Sequence, residues 1–238
     1  MPFLEICAFS LRTALLAAQS GAHRIELCTS PSTGGFTPPL NDLLTLKAGF
    51  PSIPVNVMIR SPAPDLVYQY SSEEMDIMGA QIEEFLKTGE VDGFVFGFVK
   101  DGKVDVERCK RLLEAAKGKW CTFHKAFDLI ATEDMERELE VLKELGFHAV
   151  LTSGGKGTAV EGKEMLKRLV VLSGGLIDVI VGGGVRKENI TELLEGTRAR
   201  WIHSAALGEG GFDEQEVEAM MDVVEGFGRG LTWKRPSR

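Results

Sequence analysis

Four ionisable side chains sit at or near the ends of short β-branched or aromatic runs. They are Glu26 in RIELC, Arg60 in VNVMIR, His124 in WCTFH and His203 in WIH. A carboxyl and an imidazole facing one space form a general acid–base pair. An arginine beside them could clamp a carboxylate or phosphate through two parallel hydrogen bonds. Asp128, four residues after His124, could orient that ring or receive its proton, with His203 assisting. Sulfur suggests different chemistry, because Cys7, Cys28 and Met58 occupy the first three runs. Two thiolates with a nearby thioether suit a soft ion such as Cu(I) better than Zn²⁺, which prefers four harder ligands. The plain alternative is that the cysteines are small buried hydrophobes.

A third pattern is glycine. Gly182, Gly183 and Gly184 close another run and precede a helix, and Gly154 and Gly155 follow the run before it. Glycine lets backbone approach a ligand closely, and free N–H groups near a helix start attract anions. These five glycines are the candidate anion site. A tight turn alone would look the same. No GxGxxG or GxxxxGK[ST] pattern occurs, so no nucleotide cofactor is expected.

What must position these groups is a repeated alternation. Runs with strand character fall at residues 3–7, 24–28, 55–60, 93–97, 120–124, 149–153, 178–182 and 199–203. Amphipathic segments between them, such as 10–19, 73–87, 106–117, 133–145 and 187–194, have helical spacing, and a last helix is expected near 213–225. Run starts lie 21 to 38 residues apart, about one βα unit each. Eight such units in 238 residues predict an α/β chain forming a single (β/α)₈ TIM barrel. A doubly wound open sheet is the rival, and the missing nucleotide fingerprints disfavour it. Residues 1–228 form the expected domain and 229–238 a basic C-terminal tail.

Alternation along each strand separates lumen from wall. Glu5 and Cys7 point in while Leu4 and Ile6 point out. Arg24, Glu26 and Cys28 share the interior with Asn56, Met58, Arg60, Thr122, His124, Trp201 and His203. Barrel interiors are normally branched aliphatics, and an unpaired buried charge costs several kcal/mol, so these groups must pair or face a wet mouth. Arg24 could neutralise Glu5 or Glu26 as a purely structural network. Active sites of such barrels lie at the C-terminal mouth, where Glu26, Arg60, His124 and His203 are expected.

Composition limits the partners. The net charge of −8 without a basic stripe argues against nucleic acid. No long apolar stretch exists to cross a bilayer, and the N-terminus lacks signal-peptide character. Four cysteines without a CxxC pattern read as reduced thiols, so a cytoplasmic setting is expected. An acidic surface permits homo-oligomers, with a dimer the expected state. Residues 61–72, rich in Pro and carrying Tyr68 and Tyr70, read as a lid or an oligomer contact.

Several motifs together resemble the CutC copper-homeostasis family. They are Glu5-Ile6-Cys7, the stretch Gly21 to Cys28 (GAHRIELC), Gly34-Gly35-Phe36-Thr37-Pro38, Val57-Met58-Ile59-Arg60, Thr122 to Asp128 (TFHKAFD), Leu151 to Gly155 (LTSGG) and Gly182-Gly183-Gly184-Val185. The resemblance implies a cytoplasmic TIM barrel concerned with copper. Its copper ligands would be the cysteines at positions 7 and 28. Where many members carry Arg, this chain has Lys125, which keeps the charge but loses the bidentate fork.

Overall fold

Residues 1–62, 70–208 and 210–230 are described in this computed structural model. Eight parallel strands close a barrel in chain order. They are β1 (Phe3–Ala8), β2 (Arg24–Leu27), β3 (Val55–Met58), β4 (Gly93–Phe96), β5 (Trp120–Phe123), β6 (Ala149–Thr152), β7 (Asp178–Val181) and β8 (Trp201–Ser204). The fold is the expected TIM barrel. Seven strands begin at the predicted residue. The eighth begins at Trp201 because the Ala199 N–H is still spent on Thr197 Oγ1, beyond the left-handed Arg198 that ends the preceding helix.

Each strand is followed by a helix: α1 (Leu11–Gln19), α2 (Leu40–Gly49), α3 (Ser72–Thr88), α4 (Val106–Ala115), α5 (Met135–Leu145), α6 (Lys163–Ser173), α7 (Ile190–Thr197) and α8 (Glu214–Gly230). Caps explain the starts. Ser10 and Ser71 close reciprocal capping boxes with Thr13 and Glu74, and Asp213 Oδ1 accepts the Glu216 N–H. Helices α2 and α6 carry the weakest start signals in the sequence. Their N-cap residues, Pro39 and Gly162, offer no side-chain acceptor. Helix α8 runs to Gly230, two residues into the segment expected to be tail; residues 231–238 lie outside the described residues.

The predicted alternation is visible in the packing. Leu4, Ile6, Ile25, Leu27 and Cys121 join the large apolar layer between strands and helices. Inside the barrel are two separate clusters. One contains Cys7, Cys28, Met58 and Val95, and the other Ala149, Leu151 and Ile180 with Trp120 and Trp201 against them. The remaining lumen is polar. Register fixes its neighbours: Glu5 lies beside Arg24 on β2 and His203 on β8, and Cys7 lies beside Glu26.

Candidate functional site

The floor is an ion triad. Arg24 Nε donates to Glu5 Oε2 at 2.5 Å, and Glu5 Oε1 lies 2.8 Å from His203 Nδ1. The Arg24 guanidinium also covers the Trp201 ring at 3.7 Å from its centroid, which gives the cation a second partner. Burial alone would raise the Glu5 carboxyl, but Arg24 and His203 together hold it at about 2. Burial pushes the other way on His203, yet Glu26, Cys7 and Glu5 raise it well above the ordinary imidazole value. Of the two alternatives weighed for Glu5 and Arg24, the geometry shows the structural ion network, with Glu5 and not Glu26 as the Arg24 partner.

Above the triad lies the sulfur pair. Cys7 Sγ and Cys28 Sγ are 3.3 Å apart, with Met58 in the same cluster. The Cys28 bond and burial raise the Cys7 thiol well above its usual value. Cys28 is also raised: the hydrogen bond from Cys7 lowers it, but burial and the Glu26 charge together exceed that. Next to Cys7 stands Glu26, whose carboxyl burial raises from its usual value.

A cavity of about 550 Å³ opens over these groups at the C-terminal mouth. Cys7, Glu26, Met58, His124, His203 and Gly183 all border it. Side chains from β1, β2, β3 and β8, with His124 just past β5, thus meet around one opening. The volume is that of a small-molecule site. His124 caps the 3₁₀ turn Lys125–Leu129, its Nδ1 accepting the Ala126 N–H at 3.2 Å. Burial and then the Arg60 charge push His124 down to about 3, so the ring is neutral.

Three expectations change. Arg60 is not poised as a clamp in the opening. Its guanidinium donates to the Gly35 carbonyl at 3.1 Å and to Tyr70 Oη at 3.3 Å, and it covers the Phe36 ring. Arg60 follows β3 by two residues, where strand alternation no longer fixes direction. Asp128 turns towards β6 and not towards the imidazole: it accepts from Thr152 Oγ1 at 2.5 Å, Ser153 Oγ at 2.9 Å and the N–H groups of Ser153 and Gly155. The Gly155 N–H is therefore consumed, as are those of Gly154 by Thr152 Oγ1 and Gly182 by the Thr152 carbonyl.

Two of the five candidate anion donors remain. The N–H groups of Gly183 and Gly184 have no partner among the described residues. Lys125 Nζ reaches over this loop, 3.3 Å from both Ser153 Oγ and Asp128 Oδ2; a Cβ placed on Gly183 would lie 3.2 Å from it. Arg186 ties the loop down through the Val185 and Leu207 carbonyls and Ser204. The sequence raises Lys125 only through the family motif, and it does not raise Arg186. Lys125 directly after His124, and Arg186 two residues after Gly184, are the available signal. Of residues 61–72, 63–69 lie outside the described residues, so the lid or contact role falls largely there; Tyr70 is buried against Arg60 and Phe98.

Comparison with known proteins decides the kinship. The family model described as "CutC family" matches residues 3–208. The chain belongs to the CutC family. This CutC chain is 40% identical over 204 residues to the human protein named "Copper homeostasis protein cutC homolog", covering 85% of this chain and 72% of that one. The Drosophila melanogaster protein of the same name is 36% identical over 211 residues, covering 88% and 79%. The solved structure of CutC from Streptococcus agalactiae superposes with a TM-score of 0.80 at 29% identity, covering 86% of this CutC chain and 99% of that one. Among the described residues no helix is long and apolar enough to cross a membrane.

Proposed function

We propose that this CutC chain serves copper homeostasis in the cytoplasm by binding one Cu(I) between Cys7 and Cys28. The carrying observation is the 3.3 Å sulfur pair inside the barrel, beside the Met58 thioether and under an open mouth. The donors are soft and buried, which favours Cu(I) over harder ions. With metal–sulfur bonds of about 2.3 Å, linear ligation needs the sulfurs about 4.6 Å apart. The pair therefore opens by roughly 1 Å on loading, a shift that side-chain rotation on neighbouring strands can supply. Proton release accompanies binding, since both thiols are raised. Anaerobic titration with Cu(I) against a chromophoric chelator tests this. One equivalent per chain is expected, lost in Cys7→Ser/Cys28→Ser. Unchanged affinity in that variant overturns the site. A homodimer is part of the same reading and is tested by light scattering.

One observation favours a second reading, an enzyme acting on a small anion. The unpartnered N–H groups of Gly183 and Gly184, with Lys125 beside them, open into the cavity that also holds Glu26 and His124. Burial raises the Glu26 carboxyl, which favours it as an acid, while burial and then the Arg60 charge keep the His124 ring neutral as a hydrogen-bonding partner for a substrate. Proton-transfer or lyase chemistry on a phosphorylated metabolite fits this set. A phosphorylated ligand at 100 times its dissociation constant adds about 2.7 kcal/mol of stability. Thermal melting with inorganic phosphate and a metabolite panel reads this, and Lys125→Met removes the gain. A panel with no shift sinks the reading.

A further inference from the structure

Cys7, Glu26 and His203 stand on β1, β2 and β8, three adjacent strands across the closing seam of the barrel. One donor atom from each lies within 4.8 Å of the other two, and all three residues are buried. This is a different constellation from the sulfur pair, with only Cys7 in common. It holds one sulfur, one carboxylate oxygen and one imidazole nitrogen.

Two further observations point to a ligand there. Glu26 Oε2 is buried and has no hydrogen-bond partner among the described residues. A buried polar atom without a partner costs about 1–3 kcal/mol, more if charged, and such atoms mark sites completed by something else. The second observation is the orientation of His203. Its Nδ1 is engaged by Glu5 at 2.8 Å, and Glu5 is itself fixed by Arg24. That leaves Nε2 as the nitrogen able to meet a ligand. A carboxylate on the far ring nitrogen is the outer-shell arrangement that orients metal-binding histidines and raises their basicity.

We propose that Cys7 Sγ, Glu26 Oε2 and His203 Nε2 form a three-ligand site for a borderline divalent cation such as Zn²⁺, with its remaining position open to the cavity. The donor set matches that ion and not Cu(I), which takes soft sulfur. All three residues border the cavity, so a fourth ligand enters from the mouth. Three protein ligands with one exchangeable position is the pattern of zinc sites that polarise a bound water or carbonyl. This inference goes beyond the copper reading and is independent of it. Because Cys7 serves both, the two ions exclude one another: Cys28 belongs only to the copper site, Glu26 and His203 only to this one.

Co²⁺ reports the site directly, since a cobalt–thiolate bond absorbs in the near ultraviolet. Anaerobic titration of the reduced full chain with Co²⁺ is expected to give this band at one equivalent, and Zn²⁺ to bleach it. Outer-shell partners are worth about 10–100-fold in affinity, so Glu26→Gln and His203→Asn, which remove ligands, are expected to weaken Co²⁺ by more than 100-fold. Cys28→Ser is expected to leave Co²⁺ binding within a few-fold while Cu(I) binding falls. Circular dichroism checks that each variant is folded, and the isosteric Glu26→Gln stands in if His203→Asn is not. No thiolate band in the parent chain overturns the proposal, and so does a band lost in Cys28→Ser but kept in Glu26→Gln. If Cu(I) binding fails while the Co²⁺ pattern holds, the copper reading falls and this one stands.

Discussion

Glu5 and His203 meet 2.8 Å apart across the seam where the first and last barrel strands pair, side by side in the ladder. The contact closes the barrel chemically as well as topologically, because Glu5 also holds Arg24 on the second strand. Removing one member of a buried ion set leaves a charge stranded, at a cost of about 3–5 kcal/mol. Glu5→Gln is expected to lower stability by that order in urea denaturation, and a loss under about 1 kcal/mol would show the triad to be solvated. The pH sign follows from the lowered carboxyl. Glu5 titrates at about 2 when folded against 4.5 ordinarily, so its contribution is complete above 4.5 and disappears as pH falls through about 2.

His124 works in the opposite sense. Its folded value is depressed from 6.5 to about 3 by burial and then by Arg60. Below 6.5 the unfolded chain takes up a proton that the folded ring refuses, so stability falls steadily between those values. A shift of that size corresponds to on the order of 5 kcal/mol. Protonation at Nδ1 would also remove the acceptor of the Ala126 N–H. His124→Asn keeps a capping acceptor without the titration. Its denaturation midpoint is expected to be flatter than the parent's from about pH 6.5 to about pH 4. Parallel pH profiles for the two proteins would place the acid sensitivity elsewhere.

The strands are legible because each is a short β-branched or aromatic run, and the period of two assigns Glu5, Cys7, Glu26 and His203 to the lumen. The assignment weakens once a residue leaves its ladder. Arg60 lies two positions past Met58, and its donors go to a loop carbonyl and Tyr70. Asp128 sits on a 3₁₀ turn, and nothing in its spacing from His124 reveals that Ser153 and Gly155 will claim it. The Cys7–Glu26–His203 grouping was hidden for another reason. Each residue was placed inward, but which ones become neighbours depends on the stagger between strands, and register is not written in any single strand.

Gly93 tests how tightly the polar lumen is packed. It lies directly between Asn56 and Trp120 in the ladder. A Cβ there would run into Asn56 Oδ1 and come within 2.7 Å of the Trp120 carbonyl oxygen, which is backbone and cannot swing aside. Overpacking of this kind costs about 1–3 kcal/mol and sometimes more. Gly93→Ala is expected to lose at least that much by chemical denaturation. Gly79→Ala, at a helix position with nothing within 4 Å of a Cβ, is the control and should be neutral or slightly stabilising. Equal effects at the two positions would mean that the barrel relaxes around the methyl group.

The sulfur pair makes the sharpest prediction about copper, because its pH dependence follows from where the thiols sit. Cys7 is raised well above the ordinary thiol value by its bond to Cys28 and by burial; in Cys28 the bond from Cys7 lowers, but burial and the Glu26 charge together raise it further. Both are therefore protonated near neutrality, and the nucleophile for Cu(I), the thiolate, is absent until the ion arrives. Each bound Cu(I) must expel two protons, so apparent affinity is expected to climb about 100-fold per pH unit through the neutral range. Competition against a chromophoric chelator, corrected for the chelator's own protonation, reads that slope. In Cys28→Ser one thiol remains, and the residual slope should halve to about 10-fold per unit. A pH-independent affinity in the parent chain would mean that preformed thiolates, stabilised by His203, hold the ion, and that burial does not govern the pair.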